Sequence, residues 1–331
     1  MYNTFQGKNV LITGGTGSFG KNFAKHLLKK SKLKKLVIFS RDEFKQHHLA
    51  KELNDDRVRF FLGDIRDQSR LHRAFKDIDI VIHAAALKQV PALEYNPDEA
   101  IKTNVTGTQN VIEAAIDQKV PKVLLVSTDK AAEPTNLYGA SKLCAEKLLI
   151  SGNTYAPKKT RFSVVRYGNV IGSRGSIVES LINNPDTKQV SITHMDMTRF
   201  WITLEQSFDL VLFAIKNMVG GEIFIPKIPS MKLVDLFDAM APNAKKKVVG
   251  IRPGEKLHEA LLTSNEARTA KELNKYFVIL PESHNWSKND PYTKYYKQGK
   301  KVAPDFVFKS DTNDKWLSVN DFNKILVKFK K

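Results

Sequence analysis

A glycine-rich segment directly after a short apolar run is the feature that most restricts the fold of this chain. Residues 13–20 read TGGTGSFG and follow the run NVLIT at 9–13. Glycines at 14, 17 and 20 permit a tight turn, close backbone approach to a pyrophosphate, and close packing of the next helix on a sheet. A helix that begins there presents free N–H groups and a favourable dipole to an anion. The segment predicts the first strand, turn and helix of a dinucleotide-binding unit.

Short apolar runs alternate with stretches of helical pattern through the first half of the chain. After the run at 9–13, further runs of strand length lie at 36–40, 58–62, 78–83, 122–127 and 161–166, and a helix is expected at 104–118. Runs rich in β-branched residues are typical of strands buried on both faces. Their alternation with helices predicts an α/β fold with a Rossmann-type doubly wound parallel sheet.

The pattern changes after about residue 168. Short strands and loops follow, interrupted by Pro226, Pro229, Pro242 and Pro253, a residue type that ends regular elements. We therefore expect a dinucleotide-binding Rossmann domain at 1–168. The part at 169–331 is expected to be mainly a smaller, substrate-binding C-terminal lobe, with some segments returning to the sheet. The length of 331 residues and the hydrophobic fraction of 42% suit such a globular protein.

Charge and cysteine content restrict the partners and the compartment. The 53 Lys and Arg residues outnumber the 35 Asp and Glu residues, and the net charge of +18 attracts phosphorylated molecules. The basic residues are scattered and match no zinc-finger, RRM or KH pattern, so we expect no nucleic-acid partner. The single cysteine, the lack of a signal-peptide pattern and the lack of any apolar run near roughly 18 residues predict a cytoplasmic protein without a membrane partner. No metal is expected, since no cluster has metal-ligand spacing.

The residues after the second apolar run indicate which nicotinamide dinucleotide is bound. Arg41 can pair with a ribose 2′-phosphate, and Ser40 and Lys45 can add hydrogen bonds, which favours NADP. In the alternative, Arg41 faces solvent and Asp42 binds the ribose 2′-hydroxyl of NAD. The other expected cofactor contacts come from the glycine turn, the ends of later runs and the start of the second half: Gly14, Thr16, Gly17, Ser18, Phe19, Gly20, Asp64, Ile65, Ala84, Ala85, Ala86, Lys88, Tyr138, Lys142 and Val170.

A Tyr-x-x-x-Lys pair, Tyr138 and Lys142, lies in the segment LYGASK at 137–142. Residues four apart share a helix face. A lysine ammonium beside a tyrosine hydroxyl lowers the tyrosine pKa, so that the phenolate can act as a base near neutral pH. Thr128 ends the fifth run, where its hydroxyl can bind the same substrate oxygen. Together these residues predict an alcohol oxidation with hydride transfer to the dinucleotide.

Asp129 and Lys130 follow Thr128 and add groups that plain alcohol oxidation does not need. An acid and a second base beside the hydride-transfer site permit proton removal and loss of water after the oxidation. The alternative is a surface ion pair at the end of a strand.

These motifs carry a resemblance over nearly the whole chain. The sequence resembles the extended short-chain dehydrogenase/reductase family and, within it, the inverting UDP-N-acetylglucosamine 4,6-dehydratases of the pseudaminic acid type. The matching segments are ITGGTGSFG at 12–20, SRDE at 40–43, HAAALK at 83–88, EYNP at 94–97, STDKAA at 127–132, LYGASK at 137–142, RYGNVIGSRGS at 166–176, TRFWIT at 198–203, GGEIFIPKIPSMK at 220–232 and GIRPGEKLHE at 250–259. The chain departs from the family pattern at Gln89, where a histidine is usual, and at Glu133, where an asparagine is usual.

The resemblance implies a closed redox cycle on UDP-N-acetylglucosamine. Tyr138 would take the proton of the sugar 4-hydroxyl while hydride passes from C4 to NADP, with Thr128 on the C4 oxygen and Lys142 on the nicotinamide ribose. Lys130 would take the C5 proton, for which its pKa has to be lowered. Asp129 would protonate the departing 6-hydroxyl, for which its pKa has to be raised. Return of hydride to C6 and protonation of C5 on the opposite face would give UDP-2-acetamido-2,6-dideoxy-β-L-arabino-hex-4-ulose.

The same resemblance implies the substrate contacts. Arginines would clamp the UDP pyrophosphate as bidentate forks, a carboxylate would accept from a ribose hydroxyl, and Lys88 would contact both cofactor and substrate. The expected set is Lys88, Asn169, Arg174, Gly175, Ser176, Thr193, Arg199, Arg252 and Glu255. The family also implies a homo-oligomer, either a dimer or a hexamer.

Two other functions are compatible with parts of this pattern. A UDP-sugar 4-epimerase would need the tyrosine pair but no acid–base pair, so Asp129 and Lys130 disfavour it. A non-enzymatic dinucleotide-binding or nucleic-acid-binding protein could use the +18 charge. Such a protein would have no need of Tyr138 and Lys142, both of which are present.

Overall fold

A computed structural model describes residues 1–156, 159–282 and 291–329. Its strands are β1 (Asn9–Thr13), β2 (Lys35–Ser40), β3 (Val58–Leu62), β4 (Ile80–His83), β5 (Lys122–Thr128), β6 (Arg161–Tyr167), β7 (Asn169–Val170), β8 (Gln189–Ile192), β9 (Thr198–Ile202), β10 (Ile223–Pro226), β11 (Ser230–Lys232), β12 (Lys245–Val248), β13 (Ala260–Leu262), β14 (Ala270–Glu272), β15 (Tyr276–Ile279), β16 (Lys300–Lys301) and β17 (Phe308–Lys309). Its helices are α1 (Ser18–Lys30), α2 (Glu43–Leu53), α3 (Gln68–Ala74), α4 (Val90–Tyr95), α5 (Pro97–Ala100), α6 (Gly107–Asp117), α7 (Leu137–Tyr155), α8 (Ile177–Asn183), α9 (Leu204–Asn217), α10 (Leu233–Met240), α11 (Ser264–Ala267), α12 (Thr293–Gln298) and α13 (Val319–Phe329). Short 3-10 helices cover Tyr2–Phe5 and Asp129–Ala131.

Ten strands form one sheet in the order β16-β14-β15-β10-β6-β5-β4-β1-β2-β3. Strands β1 to β6 and β10 pair in parallel, and β15, β14 and β16 add antiparallel neighbours on one side. The chain begins at β1, moves outward through β2 and β3, and crosses back to place β4 on the other side of β1. Ligands of doubly wound sheets bind at this change of direction, beyond the carboxyl ends of the strands. The predicted α/β Rossmann-type fold is confirmed.

The observed elements follow the predicted runs closely, with one local difference. The helix predicted at 104–118 is preceded by a π-helical turn, Ile101–Thr106, and α6 itself begins at Gly107. The side chain of Asn104 explains this irregular start. It accepts from the Leu87 N–H at 2.8 Å, donates to the Leu87 carbonyl at 2.9 Å, and donates to Ser141 at 3.0 Å. One buried amide thus ties the loop after β4 to α7.

The centre of the sheet is apolar on both faces, as the continuous runs predicted. The central three residues of β1 are fully buried, as are Val123, Leu124 and Leu125 of β5. On the covering helices, Phe23 of α1 and Leu212 of α9 are also fully buried. Burial of one such side chain contributes about 1.5–3 kcal/mol relative to exposure. This core fixes the strand ends from which the functional side chains project.

The second half of the chain contributes to several small sheets as well as to the large one. Strands β11, β9 and β7 form a three-stranded sheet, β12 pairs with β8, and β13 pairs with β17. A separate apolar cluster, which includes Trp201, Met231 and Phe322, packs beneath them. Strands β10, β14, β15 and β16, also from the second half, belong to the ten-stranded sheet.

A buried ion-pair network on β6 joins the first half of the chain to the second. Arg166 of β6 is 1% exposed and lies 2.6 Å from Glu146 of α7 and 2.9 Å from Glu266 of α11. Ser127, next to the end of β5, donates to the same Glu146 carboxylate. Removing one partner of such a network costs about 3–5 kcal/mol, because a buried charge is left alone. The network therefore holds the end of β5 in place.

None of the helices in the described part of the chain combines the length and the apolar character needed to cross a bilayer.

Candidate active site

The glycine turn joins β1 to α1 and lies against the backbone that follows β4. Gly14 has φ +64°, and a Cβ built on it would lie 2.8 Å from Ala85 Cα. A Cβ on Gly20 would lie 2.6 Å from the Gly14 carbonyl oxygen. Gly17 starts α1 without a side-chain cap, which leaves the first backbone N–H groups of the helix to an external anion. The turn has the shape and the donors that a pyrophosphate needs.

The other residues of the turn contribute in different ways. Thr16 is buried, and the ring of Phe19 stacks on Phe23 with centroids 5.3 Å apart. The Phe19 side chain therefore belongs to the core, and its backbone is the part left for a cofactor. The Ser18 hydroxyl accepts a backbone hydrogen bond from Arg174 at 2.9 Å.

The end of β2 presents two cations. Ser40 is buried, and its hydroxyl accepts from the Gln46 amide at 3.0 Å. The side chains of Arg41 and Lys45 are about half exposed. Asp42 caps α2 by accepting from the Lys45 N–H at 2.9 Å, and the Lys45 ammonium bonds to the same carboxylate, which lowers the pKa of Asp42. The Asp42 carboxylate is thus engaged within its own helix.

Asp64 and Ile65 follow β3, near the same rim. Burial acts to raise the pKa of Asp64, but hydrogen bonds from Arg66 at 2.8 to 3.0 Å outweigh it, and the pKa is lowered. Arg41 lies 3.8 Å from the same carboxylate. Ile65 is buried against Gly107, where a Cβ would lie 2.7 Å from the isoleucine. These contacts fix the loop expected to border the adenine.

The alanine run after β4 is held by its backbone. The N–H of Ala84 donates to the Thr13 carbonyl and that of Ala85 to the Thr13 hydroxyl, both at 3.3 Å, and Ala86 continues the loop. The Thr13 hydroxyl also meets His83 Nδ1 at 2.7 Å. Burial lowers the pKa of His83 to about 3, so the ring is neutral. It supports the glycine turn through its contact with Thr13.

Tyr138 and Lys142 lie one turn apart at the start of α7, as predicted. Asn136 caps the helix, with its side-chain oxygen accepting from the Gly139 N–H at 2.8 Å. Lys142 is buried and donates to the Val126 carbonyl at 2.9 Å. Burial lowers the pKa of Lys142 to about 8.

The cation that acts on Tyr138 is not the expected one. Burial raises the pKa of Tyr138, while the Lys130 ammonium and the Thr128 hydroxyl act to lower it. Lys142, which we expected in this role, is turned to the backbone of β5 instead. The reason is geometric: Lys130 lies on the 3-10 turn that contacts α7 at Gly139, whereas the Lys142 ammonium donates to the Val126 carbonyl.

Thr128, Asp129 and Lys130 form a compact group at the end of β5. Asp129 is fully buried, and its Oδ1 accepts from Thr128 at 2.9 Å and from Lys130 Nζ at 3.0 Å. The second oxygen of Asp129, Oδ2, is buried and has no hydrogen-bond partner among the described residues. An unpartnered buried oxygen is costly, so Oδ2 is the atom of this group best suited to meet a substrate hydroxyl.

Lys130 lies between carboxylates. Its Nζ is 3.0 Å from Asp129, 3.4 Å from Glu259 Oε1 and 3.5 Å from the Asn169 side-chain oxygen. Burial acts to lower the pKa of Lys130, but the charges of Asp129 and Glu259 outweigh it and raise the pKa. This differs from the lowered pKa expected for a base, because Asp129, which has the larger effect, and Glu259 both stabilise the ammonium.

Glu259 is a residue that the sequence reasoning missed. It is 2% exposed and lies near three cations, Lys130 at 3.4 Å, Lys256 at 2.8 Å and Arg199 at 4.0 Å. Burial acts to raise the pKa of Glu259, but these cations lower it. The available signal was its position as the last residue of GIRPGEKLHE at 250–259.

Gly139 joins the Asp129–Lys130 turn to the helix of Tyr138. A Cβ on Gly139 would lie 2.2 Å from the Lys130 carbonyl oxygen and 3.1 Å from Pro134. No side chain fits at this distance, so glycine is required for the backbone of the turn to touch α7. The contact brings the two predicted catalytic segments together.

A segment at 173–176 crosses from the second half of the chain to the glycine turn. Lys88 Nζ donates to the Arg174 carbonyl at 2.9 Å, and the Arg174 N–H donates to Ser18. Gly175 has φ +73° and donates to Glu179 at 2.6 Å. Burial lowers the pKa of Lys88. The predicted substrate residues Lys88, Arg174 and Gly175 therefore meet over the cofactor turn.

Arg199 and Glu255 form an ion pair next to Glu259, the carboxylate that lies near Lys130. Arg199 is buried and donates to the backbone carbonyls of Thr198 at 2.7 Å and Leu257 at 3.1 Å. Its guanidinium lies 3.4 Å from Glu255. The Gly254 carbonyl accepts from Asn136 at 2.8 Å, which places this segment beside the first turn of α7.

The remaining predicted residues lie apart from this group. Thr193 is buried after β8 and its hydroxyl donates to Met197 Sδ at 3.1 Å. Ser176 caps α8, and Val170 pairs with Ile202 in the three-stranded sheet. Arg252 is exposed, and no hydrogen bond or ion pair joins it to Lys130 within the ranges that the structure describes.

No group of His, Cys, Asp and Glu within the described ranges has an arrangement that could hold a metal ion. The reactive groups are instead a hydroxyl pair, two carboxylates and two lysines between β5, α7 and β13. Such a set can move protons to and from a bound sugar beside a dinucleotide.

Comparison with known proteins gives a consistent picture. A family described as polysaccharide biosynthesis protein matches residues 10–281. An inverting UDP-N-acetylglucosamine 4,6-dehydratase from Campylobacter jejuni is 48% identical over 97% of this chain and 98% of its own length. A UDP-glucose 4-epimerase from Rickettsia bellii is 40% identical over 98% of this chain and 96% of its own. The X-ray structure of Pen from Bacillus thuringiensis superposes with a TM-score of 0.88, at 38% identity over 98% of both chains.

Proposed function

The chain belongs to the polysaccharide biosynthesis protein family, and from this premise we propose that it is an inverting UDP-N-acetylglucosamine 4,6-dehydratase, a hydro-lyase. The observation that carries the proposal is the buried Asp129 carboxylate with Lys130 at 3.0 Å, beside the Tyr138 helix. A dehydratase needs an acid and a base at this place, and alcohol oxidation alone does not. The similarity to the Campylobacter jejuni enzyme supports the same activity.

The residues around the glycine turn fit a dinucleotide, and NADP is the proposed one. Gly14 and Gly20 leave the backbone close enough for a pyrophosphate, and α1 supplies uncapped N–H groups. Arg41 and Lys45 stand at the rim where a ribose 2′-phosphate would lie, and the Asp42 carboxylate is engaged in capping α2. When bound, the nicotinamide supplies a hydride acceptor for C4 of the sugar and a hydride donor for C6.

Tyr138 is proposed to remove the proton of the 4-hydroxyl. Burial raises the pKa of Tyr138, and the Lys130 ammonium and the Thr128 hydroxyl act against that rise. Thr128 would also bind the C4 oxygen, and Lys142, held 2.9 Å from the Val126 carbonyl, would orient the nicotinamide ribose.

Asp129 and Lys130 are proposed to carry the elimination. Asp129 Oδ2 would donate a proton to the departing 6-hydroxyl, which leaves as water, and Lys130 would take the C5 proton made acidic by the 4-keto group. Their 3.0 Å separation lets one group lose a proton while the other gains one, so the net charge of the pair is unchanged by the step. Protonation of C5 from the opposite face would give the inverted product.

The second half of the chain, 169–331, is proposed to form the nucleotide-sugar lobe. Arg174, Arg199 and Arg252 would face the UDP pyrophosphate, and the +18 net charge would favour association with it. We include in the proposal a cytoplasmic homo-oligomer, a dimer or a hexamer, whose product feeds a pseudaminic acid type of pathway.

The proposal is tested by proton NMR of the purified protein with UDP-N-acetylglucosamine in D2O without added reductant. The expected result is a new C6 methyl signal, deuterium at C5 and the coupling constants of an L-arabino sugar. A methyl signal with retained C5 geometry would overturn the inverting assignment. Absence of any methyl signal, with the dinucleotide shown to be bound, would overturn the dehydratase.

A UDP-sugar 4-epimerase is the second candidate, favoured by the 40% identity to the Rickettsia bellii relative. In the same NMR experiment an epimerase converts the substrate to its galacto epimer, with C6 unchanged and no deuterium at C5. The Asp129–Lys130 pair has no task in that reaction.

A further inference from the structure

Glu259 is held in a fixed position at the base of the site. Its backbone N–H donates to the Ser310 hydroxyl at 2.9 Å, and its carbonyl accepts from the Ser310 N–H at 2.8 Å. The side chain is 3% exposed. A buried carboxylate is expensive to keep unless cations and hydrogen bonds stabilise it, so its neighbours indicate what it serves.

Three cations from separate parts of the chain converge on this carboxylate. Lys130 Nζ lies 3.4 Å from Oε1, Lys256 Nζ lies 2.8 Å from Oε2, and Arg199 Nε lies 4.0 Å from Oε1. Lys256 is also bonded to the Ala132 carbonyl at 2.9 Å. The Glu259 carboxylate is therefore the common anion of a cluster that includes the proposed C5 base.

Among the residues that the structure describes, Asp129 and Glu259 are the two carboxylates in ion-pair contact with Lys130. Asp129 holds it at 3.0 Å and Glu259 at 3.4 Å. The other groups that act on Lys130 or feel its charge are Arg199, Tyr138 and Lys88, and these repel a cation or are neutral.

Asp129 and Glu259 differ in the protonation state that the proposed reaction requires of each. As an acid, Asp129 has to carry a proton before the 6-hydroxyl departs, and a protonated Asp129 no longer attracts the ammonium of Lys130. Glu259 stays ionised because three cations surround it. A carboxylate that stays ionised can therefore hold the Lys130 nitrogen in place whether or not Asp129 carries a proton.

We propose that Glu259 is a positioning residue: its buried carboxylate anchors the Lys130 side chain and, through that contact, controls when the Lys130 amine is free of its proton. The inference rests on the proposed dehydratase function for the task of Lys130, but the contact itself does not. Loss of the Glu259 charge would make the neutral amine more common at a given pH and less well placed.

The amine reactivity of Lys130 tests the contact directly, without turnover. The full-length protein is pulsed with acetic anhydride at several values near pH 8, and peptide mass spectrometry gives the labelling rate of Lys130 relative to exposed lysines. We expect E259Q to raise this rate about tenfold or more at fixed pH, since one nearby charge changes a partly buried pKa by about one unit or more. The matched control is E255Q, which removes a carboxylate 3.4 Å from Arg199 and should leave the Lys130 rate within about twofold.

A second variant separates charge from access. K256Q removes the cation 2.8 Å from Glu259, strengthens the pull of the carboxylate on Lys130, and should lower the Lys130 labelling rate. Easier access to reagent would raise the rate in both variants. Equal rates in wild type and in E259Q, with both folded by circular dichroism, would overturn the proposal, as would a rise in K256Q; if E259Q does not fold, the K256Q result decides.

The catalytic readout is deuterium exchange at C5 followed by NMR against pH. E259Q should shift the exchange profile to lower pH and reduce the maximum, with a smaller change in KM than in kcat. A purely structural loss would lower the amplitude without moving the profile, which would overturn the positioning role. If wild type forms no 6-deoxy sugar while the labelling rates behave as expected, the proposed function fails and the Glu259–Lys130 contact stands.

Discussion

The glycine turn and the charge cluster around Glu259 are built in opposite ways. The turn is made of backbone within one continuous stretch, and its shape depends on the missing side chains at Gly14 and Gly20. The cluster is made of side chains from segments near 130, 199 and 256–259, and the fold brings its three cations to within 4.0 Å of the Glu259 carboxylate. The turn is specified by local spacing, whereas the cluster exists only after the second half of the chain has packed on the first.

The two regions also respond differently to substitution. In the turn, the penalty comes from overlap with backbone, which cannot move without the sheet. In the cluster, the penalty comes from a charge left without its partner in a place that excludes water.

The largest effect is expected at Gly139, where backbone contact and charge cluster coincide. In Gly139→Val, the Cβ position lies 2.2 Å from the Lys130 carbonyl oxygen, so the turn at 129–131 has to move away from α7. We expect turnover to fall by about 10³-fold or more, since misplacing an acid–base pair forfeits its whole contribution. Initial rates of product formation per folded enzyme check this.

The control for Gly139 lies in the same helix, away from the site. The three atoms nearest to a Cβ on Gly152 are side-chain atoms of Ile112 and Phe162, each at 3.1 Å. Gly152→Ala should lower the free energy of unfolding by about 1–3 kcal/mol through overpacking and keep its turnover. A similar fall in turnover for both variants would contradict the local contact as the cause.

The next largest effect is expected at His83, which contacts Thr13 directly before the glycine turn, and it depends on pH. The pKa of His83 is lowered from 6.5 to about 3 by burial, so between these values the unfolded chain binds a proton that the folded chain does not. The stabilisation from the neutral ring is therefore complete above pH 6.5 and is lost as pH falls toward 3. From pH 6.5 to pH 5 we expect the free energy of unfolding to fall by about 2 kcal/mol more in wild type than in His83→Asn.

Urea unfolding at several pH values checks the His83 prediction, because every other titrating group is shared by the two proteins. Equal slopes against pH would show that the ring is protonated in the folded state. The hydrogen bonds to Thr13 at 2.7 Å and Thr108 at 3.1 Å would then need a different assignment of donors.

The smallest effect is expected at Arg41, a half-exposed cation that directly follows β2. Arg41→Ala removes a half-exposed guanidinium, and we expect NADP to bind about tenfold more weakly, with NAD affinity nearly unchanged, as for one charge-assisted contact. Isothermal titration with both dinucleotides measures this. A tenfold loss of NAD affinity as well would contradict a role toward the 2′-phosphate.

The sequence predicted the strands, the glycine turn and the helix of Tyr138 well, because the determinants of these elements are local in the chain. The apolar runs, the glycine spacing and the four-residue step from Tyr138 to Lys142 follow from element periods, and the structure has them at the expected strand and helix ends. The π-helical start before Gly107 escaped prediction, because Asn104 is drawn there by a loop 17 residues away.

The charge cluster was predicted only in part, because electrostatics depends on neighbours that are distant in sequence. Asp129 and Lys130 were identified from adjacent positions, but the pKa direction expected for Lys130 was opposite to that in the structure. Asp129 and then Glu259 raise the pKa of Lys130, and Glu259 stands 129 positions later in the chain, so its approach to Lys130 depends on the tertiary fold. The role expected of Lys142 toward Tyr138 differed for a similar reason, since the direction of a buried lysine depends on which carbonyl it meets.

The strand order has a consequence for synthesis on the ribosome. Strand β6 ends at Tyr167, but its parallel neighbour β10 begins only at Ile223. The ribosome adds about 5–20 residues per second. The backbone groups of β6 that pair with β10 therefore stay unpaired for several seconds while the intervening chain is made. An apolar, unpaired strand edge is a site for wrong pairing with another chain. Slower translation between these two strands should therefore raise the fraction of newly made protein that aggregates, although the finished protein is unchanged.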